Sequence, residues 1–312
     1  MVRHSPYANL PLVCFSNILS VNHVHLLLHL INQSHPCKQD VSRISRFNCR
    51  LIDCAPYLYG SRDAAAEINP HPPKYRHTMR IIQISDSHIA HDIPQRLTDL
   101  DDCVAEVNSQ NPDLVIHTGD ITHNGLPQEY NAACKNLEKL KAPYFLLNGN
   151  KDSRDLIFKT FSSHSYLKQG NGFIQYCIEQ ETVRLLVIDT VRESTSKGEL
   201  CANRLKHLES MLAANTRKPV IIFMHHSPYV VTEIPDPCQF HQWDEVDALE
   251  TLLSGFNNIQ AIYCGHVHRN VQGSIASLPV HVLSCMARDL RKGELSEEDK
   301  TRPMYRVIEV AE

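Results

Sequence analysis

The chain has 312 residues, a formal net charge of −4 and a pI near 6.5, which allows a large core and gives no bulk positive charge for nucleic acid. Its 19 histidines and 11 cysteines stand out. The cysteines are scattered, odd in number and free of any C-x-x-C pair, which argues against a disulfide framework or a zinc ribbon and for reduced thiols in the cytoplasm.

Residues 1–78 read differently from the rest. Leu10 to Ile31 is apolar and free of Lys, Arg, Asp and Glu, but Asn17, Asn22, His23, His25 and His29 interrupt it and no small-residue cleavage site follows. It is a poor match to a signal peptide or a transmembrane helix. Cys37, Cys49, Cys54 and His35 follow at irregular spacing that does not suit a metal site. Met79 reads as the natural start: residues 1–78 are expected to be an extension with no part in the fold, and 79–312 one domain.

From Met79 onward strand and helix signals alternate, the pattern of an α/β protein. The Ile-rich run Arg80–Ile84 is a short buried strand that ends in Ser85-Asp86-Ser87-His88. Pro94 opens a helix through Asn108, with Leu97, Leu100, Val104 and Val107 at helical spacing. Leu114-Val115-Ile116 is a strand leading to Gly119-Asp120, Leu126 to Leu140 a helix, and Tyr144–Leu147 a strand leading to Gly149-Asn150. Residues 173–179 and 183–188 read as two strands, residues 199–214 as a helix, and Val220–Met224 as a strand that ends in His225-His226. A helix from Asp244 to Leu253 precedes a strand, Gln260 to Tyr263, that ends in Gly265-His266-Val267-His268. The tail (271–275, 280–283 and 305–310) reads as antiparallel strands.

Five strand ends therefore carry Asp86 and His88, Asp120, Asn150, His225, and His266 and His268. Parallel strands would bring these ends to one edge of a sheet, where ligand sites form. The glycines before Asp120, Asn150 and His266 would let the chain turn sharply and place the next side chain inward. Any one of these groups has an ordinary explanation as a turn or a hydrogen-bonded loop residue. Together they make a carboxylate, imidazole and amide set suited to two divalent ions, Fe, Mn, Zn or Co, and the absence of a thiolate disfavours a structural zinc. Two such ions repel each other, so an anion must lie between them. Asp120 is the natural bridge, with a hydroxide that serves as nucleophile at neutral pH.

In order and residue type, these motifs resemble those of the calcineurin-like metallophosphoesterases, from Met79 to about Glu312. The resemblance implies a four-layer α/β/β/α sandwich with mixed sheets. It implies one metal held by Asp86, His88, Asp120 and His268, and a second by Asp120, Asn150, His225 and His266. Gln83–His88, Asn124–Tyr130, Met224–Pro228 and Leu278-Pro279-Val280 are similar to bacterial class III cyclic nucleotide phosphodiesterases. That similarity implies hydrolysis of cyclic AMP to 5'-AMP, with His88, Asp120, Asn150, Lys151 and His268 against the substrate. The catalytic set would be Asp120, Asn150, Lys151 and His226.

One position departs from the pattern. Where the family commonly has a His after the Asn, this chain has Lys151. Its ammonium can neutralise phosphoryl charge, but a reference pKa of ~10.4 suits it poorly to proton donation near pH 7. His226 would contact the phosphate or support a ligand, whereas His91 and His123 read as loop residues beside the ligand motifs. A broader phosphodiesterase, a phosphomonoesterase and a catalytically silent scaffold that binds a protein partner remain as alternatives. The expected partner is a small phosphodiester, not nucleic acid or membrane, and a homodimer stays open.

Overall fold

The computed structural model describes residues 78–234 and 239–311; all but the last residue of the expected extension, its apolar stretch included, lies outside the described residues. The ten strands among the described residues are β1 (Met79–Ile84), β2 (Leu114–Thr118), β3 (Tyr144–Leu147), β4 (Tyr176–Glu179), β5 (Arg184–Ile188), β6 (Val220–Met224), β7 (Ile259–Cys264), β8 (Val271–Ile275), β9 (Leu278–Val282) and β10 (Arg306–Val310). The helices are α1 (Pro94–Ser109), α2 (Pro127–Leu137), α3 (Arg154–Thr160), α4 (Ala202–Ala213), α5 (Asp244–Ser254) and α6 (Glu297–Thr301). Pro94 and Pro127 open α1 and α2, where a missing N–H costs nothing.

The strands form two sheets, ordered β10-β1-β2-β3 and β4-β5-β6-β7-β9-β8. In the first, β1, β2 and β3 are parallel and β10 runs antiparallel to β1. In the second, β5, β6, β7 and β9 are parallel, with β4 and β8 antiparallel at the edges. The tail is therefore not all antiparallel. A parallel β9 reaches β7 because the β8–β9 hairpin folds it back beside that strand.

The alternation of side chains along β5 and β6 sorts the layers. Leu185, Val187, Ile221 and Phe223 join the core that contains β1, β2, β3, α1 and α2, while Leu186, Ile188, Val220, Ile222 and Met224 pack with Leu208 and Leu212 of α4 and Leu249 and Leu253 of α5. The order is helices, sheet, sheet, helices, the expected α/β/β/α sandwich. Both sheets are covered on both faces, which is why their parallel strands read as continuous apolar runs.

The site is not built on one sheet edge. Asp86, Asp120 and Asn150 follow strands of the first sheet, and His225 and His266 follow strands of the second. Buried Gln83 joins the two layers at this level, donating to Thr118 Oγ1 at 3.1 Å and to the Cys264 carbonyl at 2.9 Å.

Candidate metal centre

Beyond β1 and β2 the chains stay side by side. The Asp86 amide donates to the Gly119 carbonyl at 3.0 Å, and the His88 amide donates to the Asp120 carbonyl at 2.9 Å. From the other sheet the His266 amide donates to Asp86 Oδ2 at 3.1 Å. Asp86, His88, Asp120, His266 and His268 all have left-handed backbone, with φ of 55°, 43°, 52°, 75° and 58°. Such a conformation costs a non-glycine residue about 1–2 kcal/mol, and it persists only where the surroundings fix it.

The glycines act by two different means. Gly119 has the positive φ, 97°, that a sharp turn needs. Gly149 and Gly265 lie outside the left-handed region, so the turn expected there is not what requires them. A Cβ at Gly149 would stand 2.2 Å from both the amide nitrogen and Oδ1 of Asp120, and one at Gly265 would stand 2.0 Å from Ser85 Oγ. These two residues are glycine because neighbouring backbones and donors come too close for any side chain.

Two groups of donor atoms result. In the first, His88 Nε2 is 2.9 Å from His268 Nε2, 3.4 Å from Asp120 Oδ2 and 3.8 Å from Asp86 Oδ1. His268 Nε2 is 3.4 Å from Asp86 Oδ1. In the second, His225 Nε2 is 3.3 Å from Asn150 Oδ1, 3.3 Å from His266 Nδ1 and 3.6 Å from Asp120 Oδ1. Asp120 thus turns one oxygen toward each group. Donors held ~2.0–2.2 Å from an ion stand roughly 2.9–3.5 Å apart at right-angle and tetrahedral geometry. The spacings here are of that size, so the residues fit two ions.

The electrostatics agree with that fit. Asp86, His88, Asp120, His225, His266 and His268 are all buried or nearly so. Burial opposes ionisation of Asp86, but its hydrogen bond to His268 and the charges of His268, His225 and His88 outweigh this and hold the carboxyl well below its usual range. Burial, then Asp86 and Asp152, push the Asp120 carboxyl well above that range. Two carboxylates crowded in low dielectric favour a cation between them. Burial and then His268 press the His88 imidazole well below its usual value, leaving a neutral ring with a lone pair to give. His225 Nδ1 lies 2.8 Å from the Thr118 carbonyl and His268 Nδ1 3.2 Å from that of Leu290, so in each ring Nε2 is the free donor atom.

His226 is placed behind the site. It is fully buried, Nδ1 is 2.8 Å from Thr190 Oγ1 and Nε2 is 3.2 Å from the Ser196 carbonyl. Both of its nitrogens are engaged, and its ring packs 4.4 Å from that of His266. Lys151 donates its amide to Asp120 Oδ1 at 2.8 Å, and the residue is exposed at the rim. His123 Nδ1 is 3.4 Å from His88 Nδ1, whereas His91 turns to Glu129 at 3.3 Å.

Sequence reasoning missed three supports. Asp152 accepts from the amides of Gly149 (2.9 Å), Ile121 (3.0 Å) and Thr122 (3.1 Å) and from the Tyr130 hydroxyl (3.0 Å), tying the β2 and β3 ends together. Glu129 accepts from the amides of Asn124 (3.0 Å) and Leu126 (3.3 Å), fixing the loop before α2. Arg96 pairs with Asp289 at 2.8 Å and reaches the His88 carbonyl at 3.3 Å. Arg96 and Glu129 offered a signal, a charge beside apolar helix residues, whereas Asp152, within the polar run 148–155, offered none.

The comparisons with known proteins point the same way. A probable glycerophosphodiester phosphodiesterase, GpdQ, of Arcobacter nitrofigilis is 30% identical over 234 residues, covering 70% of this chain and 84% of the relative. The 3',5'-cyclic adenosine monophosphate phosphodiesterase CpdA of Escherichia coli is 24% identical over 204 residues, covering 62% and 70%. Among solved structures, a dimetal phosphatase from Danio rerio shares the fold with a TM-score of 0.56 at 14% identity, over 67% of this chain and 88% of that one. The Calcineurin-like phosphoesterase family matches residues 79–270. This chain is a metallophosphoesterase and belongs to the calcineurin-like phosphoesterase family.

Proposed function

We propose that the chain hydrolyses small phosphodiesters with two divalent ions, one held by Asp86, His88, Asp120 and His268 and the other by Asp120, Asn150, His225 and His266. The observation that carries this reading is Asp120, whose two oxygens face the two donor groups at 3.4 and 3.6 Å. When bound, the ions supply Lewis acidity toward phosphoryl oxygens and lower the pKa of water near neutral pH.

The chain's own residues do the rest. Asp120 and Asp86 bring negative charge that balances the ions. The Thr118 and Leu290 carbonyls fix the rings of His225 and His268. Lys151 sets a positive charge at the rim, where it can offset phosphoryl charge. An ammonium has no lone pair, so while charged it takes no proton.

Diester hydrolysis is supported by both relatives above. Cyclic AMP, the substrate implied by the sequence motifs, is supported by the cyclic nucleotide relative. A glycerophosphodiester is supported by the relative with higher identity over more of the chain. The test is turnover by the full chain, loaded with Mn, Fe, Zn or Co and with bound metal counted, on cyclic AMP, glycerophosphocholine and nitrophenyl phosphate. Diester turnover that disappears in Asp120→Asn together with bound metal is expected. Two bound metals with no turnover of any ester would leave the scaffold reading in its place.

A further inference from the structure

A cavity of about 300 Å³ opens beside Asn150, between the start of α3 and the loop that follows β5. It has the size of a small-ligand site and reaches the second donor group through Asn150 itself. On one wall Arg154 is immobilised: its guanidinium holds Asp189 at 2.7 and 2.9 Å, the Val191 carbonyl at 2.5 Å and Glu193 at 3.1 Å. On the other wall the loop bends through Ser194, which is left-handed at φ 66°, and closes on itself by a bridge between Val191 and Gly198. Arg192 lines the cavity and makes no ion pair among the described residues.

The lining selects among ligand chemistries. Two guanidiniums share the lining with Asp155, Glu193 and Asp152, whose oxygens are already bonded to amides, and Arg154 is already held by Asp189, so a second anion is unwelcome. Among the described residues no aromatic ring lines the cavity, so a planar base finds nothing to stack on. Val191 is the only aliphatic side chain among the described residues that line it, so an alkyl group buries little. What remains is a neutral group rich in hydroxyls. Its O–H groups can donate to Glu193 and accept from Arg192, and the hydroxyls of Ser153 and Ser194 can do either.

We propose that this cavity is the subsite for a hydroxylated alcohol of the substrate diester, with Arg192 and Glu193 as the pair that determines specificity. This rests on the diesterase reading above and narrows it to diesters of polyols such as glycerol, in preference to a cyclic nucleotide.

The test compares glyceryl nitrophenyl phosphate with ethyl nitrophenyl phosphate, which share a leaving group and differ in free hydroxyls. Full-length, metal-loaded wild type is expected to favour the glyceryl ester by ~10-fold or more in kcat/KM, as charge-assisted hydrogen bonds warrant. Arg192→Ala and the milder Glu193→Gln should each pull that ratio toward one, mainly by raising KM for the glyceryl ester. Calorimetric binding of glyceryl phosphate against ethyl phosphate should show the same preference and the same loss, independently of turnover. A wild-type ratio near one in both assays, or a preference that survives both variants, overturns the subsite while leaving diester hydrolysis intact. Two bound metals with neither ester hydrolysed overturns the diesterase reading instead.

Discussion

Gly149→Ala tests how the site is held. The new Cβ would lie 2.2 Å from the amide nitrogen and Oδ1 of Asp120 and 2.7 Å from its Cγ, well inside ordinary contact. The nitrogen is backbone and cannot swing away, so the ends of β2 and β3 must part by about an ångström. That strains the amide bonds Lys151 gives to Asp120 and Gly149 gives to Asp152, both now 2.8–2.9 Å. Overpacking of this kind costs ~1–3 kcal/mol, and each kcal/mol lowers the melting temperature of a domain this size by roughly 2–4 °C. An ångström of misplacement at a reacting centre costs ~10²-fold in rate, equivalent to about 2.7 kcal/mol. The assay is metal content, thermal melting and kcat/KM on a diester, beside a Gly255→Ala control whose Cβ meets only the Leu252 carbonyl at 3.3 Å. If Gly149→Ala matches that control in all three, close approach is not what the glycine serves.

Lys151→His should speed hydrolysis of diesters with poor leaving groups by up to ~10²-fold, since an imidazole of reference pKa ~6.5 can donate a proton near neutrality; equal rates for wild type, Lys151→His and Lys151→Ala would make the lysine a bystander. Asp152→Ala leaves three amides and the Tyr130 hydroxyl without their acceptor, and should cost about 2–4 kcal/mol in urea unfolding and speed hydrogen exchange at Ile121; unchanged exchange there would refute the tie between the two strand ends. Burial presses the His117 imidazole down from 6.5 to about 4. Between those values the unfolded chain binds a proton that the folded one refuses, so stability rises with pH across this window and is lost, by ~3 kcal/mol in all, as pH is lowered from 6.5 to about 4. His117→Gln should flatten the slope of stability against pH by one proton in that window, and an unchanged slope would refute the assignment.

The donor set could be read from the sequence because each donor follows an apolar strand within a few residues, and such a strand leaves one exit. The reading failed where two sheets can look like one. Nothing local in Val220–Met224 says that it belongs to a different sheet from Leu114–Thr118; the face alternation that separates them involves only apolar side chains. Helix α3 was missed because seven residues give less than two turns of periodicity. Helix α2 stops at Leu137, short of the expected Leu140, because the last residues tighten into a turn with Leu140 bonded to the Leu137 carbonyl at 3.0 Å. Helix α4 begins at Ala202, after the expected residue 199, because Leu200 bonds to Glu245 of another helix at 2.8 Å, a partner no local pattern reveals.

The antiparallel pairing of β10 with β1 bears on how the chain is made. Of the described strands, the first is synthesised with its Ile-rich edge bare, and the one that covers it, β10, is the last of them to leave the ribosome. At the usual pace of synthesis that interval is on the order of tens of seconds, long compared with the microseconds in which strands pair. An open apolar edge is a template for pairing with other chains. A nascent chain stalled or truncated before Arg306 would lack this cover and should be captured by chaperones or aggregate, although every proposed metal ligand had already been made.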